Sequence, residues 1–293
     1  MADKSPEKLE ILCIVGPTAS GKTARAVAEA IARNGEVISV DSRQVYRHLD
    51  IGTEKITAQE MRGVPHHLID VRDPHERYSA GEFVGDASRL IEEIAARGKL
   101  PILAGGTHFY FDALLNGLPQ ETHPDLALRA ALSLLGDEEL LARILAADPR
   151  RAQELDPKNR RRLIRALEII HAHDKVPQRD VGDSRYEVEW VVIDPAGPEL
   201  RTRIDARLAD ALARGLVQEV RSVRAALGDD RLNELGLEYR MVGEFLRGER
   251  SEASLLPALS AKLWQYARRQ KAWLRKLRGE HTIAAVPPHR GRN

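Results

Sequence analysis

Ile11-Leu12-Cys13-Ile14-Val15 leads directly into Gly16-Pro17-Thr18-Ala19-Ser20-Gly21-Lys22-Thr23, and an Ala-rich stretch of helical spacing runs from Lys22 to about Arg33. The apolar run has the length and flanks of a buried strand. The octapeptide fits G-x-x-x-x-G-K-[ST] and stands where that motif must stand, between a strand and a helix. Its glycines let the backbone wrap inward so that successive N–H groups face one phosphate. The helix N-terminus adds partial positive charge and Lys22 a full one, while the Thr23 hydroxyl is placed to ligate Mg²⁺. Gly16 to Thr23 therefore read as a cradle for a diphosphate or triphosphate.

Outward from this loop the pattern repeats. Val37–Val40 reads as a second strand ending at Asp41, Ala80–Arg97 as a helix, and Leu100–Ala104 as a third strand running into Gly105-Gly106. Strands alternating with helices predict an α/β fold, a P-loop NTPase-like parallel sheet flanked by helices. From about His123 the pattern changes. Ala/Leu/Arg helices broken at Pro149, Pro157 and Pro177 continue to about Asp183 without a convincing strand, and a β-rich segment returns at Val188–Ile193 before long helices run to Arg278. The expected organisation is a catalytic core over 1–122 and 183–293, interrupted by a small all-helical insertion domain over 123–182. The last residues, Pro287 to Asn293, read as a frayed tail.

Composition narrows the class. Across 293 residues, 45 Lys+Arg against 44 Asp+Glu give a net charge of +1, so any basic patch is local rather than a uniform nucleic-acid coat. Aromatic content of 4% argues against an RNA reader built on a broad stacking surface. The single cysteine, Cys13, forbids an internal disulfide and a thiolate zinc cluster, as expected of a reducing cytosol. No apolar run approaches a membrane span, and the mixed charge of the first ten residues is unlike a signal peptide. A soluble cytoplasmic protein is expected.

The cradle alone leaves kinase, hydrolase and other phosphate chemistries open. Asp41, at the end of the second strand, reads equally as a Mg²⁺-ligating carboxylate or as a base aimed at an acceptor, and spacing does not separate the two. His66-His67 has no third ligand at helical or hairpin spacing, so a structural role is expected there rather than a metal site.

More specific vocabulary follows. Asp41-Ser42-Arg43-Gln44-Val45-Tyr46-Arg47, then Asp50-Ile51-Gly52-Thr53, then Val64-Pro65-His66-His67-Leu68-Ile69-Asp70 stand between GPTASGKT and LPILAGGTHFY. With Tyr78-Ser79-Ala80, RRRLIRALEI at Arg160–Ile169 and QYARRQKAWLR at Gln265–Arg275, the chain resembles the tRNA dimethylallyltransferases (tRNA isopentenyltransferases) from Ile11 to Arg278, in a bacterial form without an appended zinc finger. The resemblance implies transfer of a dimethylallyl group from dimethylallyl diphosphate to N6 of the adenosine immediately 3′ of the anticodon, with Mg²⁺ and release of diphosphate. It implies that Asp41 takes the N6 proton, that Lys22 neutralises the leaving group, and that Thr107 lies beside the entry channel. Ser42, Arg43 and Gln44 are then the neighbours that contact the base, which must be flipped out of the anticodon loop. The expected partners are the tRNA anticodon stem-loop and dimethylallyl diphosphate, with no membrane, and the protein is expected to be a monomer. Three places depart from the usual pattern: His108-Phe109-Tyr110 replaces Gly-Leu-Tyr, Arg47-His48 replaces Arg-Gly, and Leu235–Arg240 is a longer variant of a Gly-Tyr-Lys/Arg element.

Two acid-free islands, Lys158, Arg160, Arg161, Arg162 and Arg165, and Lys262 to Arg278, stand out on this near-neutral chain. Charge alone is as consistent with solvated helix faces. With the resemblance, Arg129, Arg161, Arg162, Arg165, Arg268, Arg269, Gln270 and Arg275 are expected on tRNA. Leu263, Tyr266, Ala267, Gln270, Trp273, Leu274 and Leu277 share one helical face, which reads as core packing rather than base stacking. The competing classes are an adenylate isopentenyltransferase, which needs no such insertion, a small-molecule kinase, and a catalytically silent RNA-binding protein, which needs no Lys22, Thr23 and Asp41.

Overall fold

The computed structural model describes residues 8–118, 125–177 and 185–280. The ends of the expected insertion near 123 and 182, the first seven residues and the expected tail at 287–293 lie outside them. The chain divides into two compact units, Met1–Leu115 with Ser184–Asn293, and Asn116–Asp183.

In the first unit, β1 (Leu9–Val15), α1 (Lys22–Ala32), β2 (Gly35–Val40), α2 (Ala58–Met61), β3 (His66–His67), α3 (Ala80–Ala96), β4 (Leu100–Gly105) and α4 (His108–Asn116) follow in order. The five strands form an all-parallel sheet in the order β3-β2-β4-β1-β5, with β5 (Tyr186–Val192) supplied by the later part of the chain. β1 lies between β4 and β5, which is why Ile11 to Val15 form an unbroken run of fully buried residues. Burial pushes the Cys13 thiol far above its ordinary range, so it remains an inert core residue. β5 starts at Tyr186, two residues before the reading from hydrophobicity, because the outer strand needs apolar side chains on one face only and leaves Glu187 and Glu189 outward. The short β3 was absent from that reading. Its outer-strand pairing with Val37 and Ile38 is supported by His67, whose Nε2 lies 2.7 Å from the buried carboxylate of Glu36, while His66 Nδ1 lies 2.9 Å from the Val64 carbonyl.

α3 carries a capping box, Ser79 accepting from the Glu82 N–H and Glu82 from that of Ser79, which fixes its start one residue after Ser79. After β5, four helices complete the unit: α9 (Gly197–Ala213), α10 (Leu216–Glu234), α11 (Leu237–Leu246) and α12 (Glu252–Glu280). The second unit holds α5 (Leu126–Ser133), α6 (Asp137–Ala147), α7 (Pro149–Glu154) and α8 (Arg160–His173). These four pack around Leu132, Leu140, Ile144, Leu155, Leu163 and Leu167. Pro149 begins α7 at a position whose N–H has no intrahelical partner in any case.

Candidate active site

A parallel sheet presents its carboxyl edge to ligands, and here that edge collects the loops after β1, β2 and β4. After β1, Ala19 (φ 59°) and Gly21 (φ 90°) both take left-handed backbone, curling Gly16 to Lys22 so that N–H groups converge. After β4, Gly105 packs so tightly on β2 that a Cβ there would lie 2.0 Å from the Val40 carbonyl oxygen. This close approach brings Gly106 and Thr107 beside Asp41. Thr107 Oγ1 accepts from the Ser42 N–H at 3.2 Å, and the Thr107 N–H donates to the Val40 carbonyl at 3.2 Å.

Asp41 uses one oxygen on its own turn. Oδ1 accepts from the N–H groups of Arg43 (2.8 Å) and Gln44 (3.3 Å), while Oδ2 has no partner among the described residues. A carboxylate fixed through one oxygen and open at the other suits proton abstraction and metal ligation alike. Around Asp41 stand Lys22, Tyr110, Glu238 and Tyr266, each of whose titration feels its charge. Burial, reinforced by Arg207 and opposed by Asp41, lowers Lys22 to about 8, so its ammonium is held in place while poorly solvated. It donates to the Pro17 carbonyl at 2.7 Å.

Two arginines that sequence reading did not single out reach the cradle. Arg203 and Arg207 are four apart on α9 and so share a face. Arg203 Nη1 donates to the Ser20 carbonyl at 3.2 Å, and Arg207 Nη1 donates to the Thr18 hydroxyl. Arg207 is held in turn by Glu238 at 3.1 Å, on the first turn of α11. Burial raises the Glu238 carboxyl, with Arg207 opposing and Asp41 adding to the effect. Their signal in the sequence was the Arg-x-Arg-x-x-x-Arg spacing at 201–207, which is ordinary for a solvated helix until α9 is placed over the loop.

Several expected contacts are corrected by what the side chains do. Gln270, expected on tRNA, is 4% exposed and bridges the two loops of the site: its Oε1 accepts from the Thr18 N–H at 2.9 Å and its Nε2 donates to the Gly106 carbonyl at 3.0 Å. Burial of a primary amide demands such pairing. The same bond occupies the Thr18 N–H, one of the expected phosphate donors. Gln44 spends its amide on scaffold, accepting from Ser39 Oγ at 3.0 Å and donating to the carbonyls of Thr53 (3.1 Å) and Glu54 (3.2 Å). Arg129 forms a two-pronged pair with Glu168 (2.6 and 2.9 Å), and Arg165 also reaches that buried carboxylate at 3.2 Å. Without these guanidinium groups Glu168 would be an uncompensated buried charge. Lys271 and Arg278 both pair with Asp194, and Arg160 with Asp137. What remains of the two islands is narrower. Lys158, Arg161, Arg162, Lys262, Arg268, Arg269 and Arg275 are exposed and pair with no carboxylate among the described residues.

The α12 stripe is also corrected. Leu263, Ala267, Leu274 and Leu277 are core, but Tyr266 is 39% exposed, with Arg269 5.8 Å from its ring centre. Its hydroxyl is pushed up to about 12 by burial, then by the charges of Asp41 and Glu238. Trp273 stacks on His108 at 4.1 Å with 12° between the rings. His108 Nε2 is buried with no hydrogen-bond partner among the described residues, and burial followed by the Lys22 charge lowers the imidazole to about 4. Arg43 runs beside Gly236, its guanidinium pairing with no carboxylate among the described residues.

The donor chemistry fits Mg²⁺ accompanying a polyphosphate. Thr23 is exposed at the first turn of α1 with no partner for its hydroxyl among the described residues, and Asp41 Oδ2 is open, an all-oxygen set that leaves positions for phosphate and water. Among the described residues no cluster of three or more His, Cys, Asp or Glu forms a protein-only metal cage.

An α/β protein whose phosphate loop is overhung by Lys22, Arg203 and Arg207 and faces an open carboxylate is built to act on a diphosphate or triphosphate. The family model for IPP transferases matches residues 44–277, and the chain belongs to that family. It is 42% identical to a tRNA dimethylallyltransferase of Anaeromyxobacter sp. (strain Fw109-5) over 95% of both chains. It is likewise 42% identical to that of Thermomicrobium roseum, over 92% of this chain and 84% of the relative. The solved tRNA isopentenylpyrophosphate transferase of Bacillus halodurans is 35% identical with a TM-score of 0.71, covering 96% of this chain and 90% of that one. A eukaryotic dimethylallyltransferase described as acting on tRNA gives 27% identity and a TM-score of 0.82, covering 95% of this chain and 74% of that one.

Proposed function

We propose that this protein transfers the dimethylallyl group of dimethylallyl diphosphate to N6 of the adenosine immediately 3′ of the anticodon in tRNA, forming N6-(dimethylallyl)adenosine and releasing diphosphate. The observation that carries the reading is the pairing of an ammonium and a carboxylate across one cleft: Lys22 in the phosphate loop and the open Oδ2 of Asp41. The C–O bond breaks as negative charge gathers on the diphosphate, which Lys22, Arg203 and Arg207 stabilise in a low-dielectric loop. The N6–C bond forms at the other end, and Asp41 Oδ2 receives the N6 proton. An aryl amine has a delocalised lone pair, so a fixed base promotes the attack. Thr107, hydrogen-bonded to the Ser42 N–H, holds the turn that aims Asp41. Mg²⁺, held by Thr23 together with diphosphate oxygens, would supply further neutralisation of the leaving group.

Arg161 and Arg162 on α8 and Arg268, Arg269 and Arg275 on α12 are among the groups free, within the described residues, to neutralise tRNA phosphates, and such contacts position an RNA without reading its bases. No helix among the described residues is long and apolar enough to cross a membrane. Incubating tRNA with the protein, Mg²⁺ and dimethylallyl diphosphate, then analysing the anticodon-loop nucleosides by mass spectrometry, tests the reading. The expected product is adenosine heavier by one dimethylallyl group; unmodified tRNA beside ATP hydrolysis would overturn it.

A further inference from the structure

His108 is the first residue of α4, two positions beyond Gly106. A Cβ on Gly106 would lie 3.8 Å from Lys22 Nζ, so this turn runs directly against the phosphate loop. The imidazole is not free to swing. It lies flat on Trp273 of α12, 4.1 Å between ring centres and 12° from parallel. That stack fixes the ring plane, and Nε2 within it is buried and lacks a hydrogen-bond partner among the described residues. A buried polar atom left unpaired is costly, and a ligand that completes the pairing is one of the ways that cost is met. A wall intended only to shape an apolar pocket would be satisfied by phenylalanine, with the same stacking and no such cost.

We propose that His108 is a further donor-binding residue of this chain: its Nε2–H, held in the plane set by the stack on Trp273, donates to an oxygen of the diphosphate held at Lys22. The contact rests on the reading of the loop as a diphosphate site. The neutral imidazole, with its hydrogen on Nε2, is the form that does this. It adds a donor to the cradle without adding a further cation beside Lys22 and Arg207. The Thr18 N–H is taken by Gln270, so His108 supplies a donor where one backbone donor is already engaged.

The test is calorimetric binding of inorganic pyrophosphate with Mg²⁺ to the full chain, alongside the KM values for dimethylallyl diphosphate and for tRNA. His108→Phe keeps the stack and deletes the donor, and it should weaken pyrophosphate binding about tenfold, as expected for a hydrogen bond to a charged group. The donor KM should rise by a similar factor with the tRNA KM unchanged. His108→Gln, whose amide nitrogen reaches near the position of Nε2, should recover part of the loss. Wild-type pyrophosphate affinity in His108→Phe overturns the proposal. A rise confined to the tRNA KM would also overturn it, since Nε2 would then serve the nucleotide. Lys22→Ala is the control: if it too binds pyrophosphate normally, the diphosphate reading of the loop fails, whereas loss in Lys22→Ala alone leaves that reading intact and removes only His108.

Discussion

Gln270→Met probes the joint between the two loops of the site. Methionine matches glutamine in length and fills the same buried space, so the change deletes two hydrogen bonds with little cavity formation. The bonds lost are Thr18 N–H to Oε1 at 2.9 Å and Nε2–H to the Gly106 carbonyl at 3.0 Å. Each group left facing a thioether costs about 1–3 kcal/mol if fully buried. Thr18 and Gly106 are only half-buried, so water can reach each of them in part, and the lower end applies. The sum is about 2 kcal/mol, or a fall of roughly 4–8 °C in Tm. The functional cost is separate. Thr18 and Gly106 would no longer be held at fixed separation, and loss of sub-ångström alignment between the leaving group and the base should lower kcat/KM for dimethylallyl diphosphate by about tenfold or more. Thermal unfolding and steady-state prenylation of tRNA measure the two effects. A variant with lowered Tm and unchanged kcat/KM would refute the claim that the glutamine aligns the site, leaving it a core residue only.

Asp41→Asn keeps the turn but removes the basic oxygen: prenylation should fall by about two to four orders of magnitude while Mg²⁺-dependent donor binding stays near normal. A large rise in the Mg²⁺ requirement would instead make Asp41 a metal ligand. Glu36 is 3% exposed; burial raises its carboxyl, but hydrogen bonds from Lys99, His67 and Arg97 outweigh this and hold it at about 2. Its contribution, about 3 kcal/mol, is complete above its ordinary value of about 4.5 and disappears as pH falls toward about 2. Glu36→Gln should therefore be less stable than wild type at neutral pH and equal to it near pH 2 in denaturant titrations; a constant difference across that range would contradict the linkage. Arg162→Ala and Arg269→Ala should each weaken tRNA binding and lower the slope of log affinity against log salt by about one. Unchanged slopes would return both arginines to ordinary surface.

The strand–loop–helix from Ile11 to about Arg33 could be read because the signals that announce it are local, an apolar run, a glycine-bounded turn and a helix start, although its partners are not. Asp41 was visible for the same reason, at a strand end. What could not be read are the partners that arrive from elsewhere. Arg203 and Arg207 look like any surface arginines until α9 lies over the loop, and Glu238 until Arg207 is there to pair with it. Gln270 sits on an apolar stripe whose periodicity reports burial and says nothing of which polar groups wait opposite. Tyr266 failed in the other direction: its spacing matched the stripe, but the helix leaves it partly exposed. β3 is too short for any period to register.

Glu219, on α10, accepts from the N–H groups of Asp50, Ile51 and Gly52 at 3.0, 2.7 and 2.9 Å and from the Tyr239 hydroxyl at 2.7 Å. The segment that follows the Asp41 turn is thus pinned by a carboxylate 167 to 169 positions further along the chain, as the Thr18 N–H is met by Gln270 252 positions later. On the ribosome the phosphate loop emerges early and the groups that set its shape emerge last. During synthesis the nascent chain therefore carries a phosphate loop that lacks its permanent fastenings, and it stays without a finished reaction centre until α10 and α12 have left the exit tunnel.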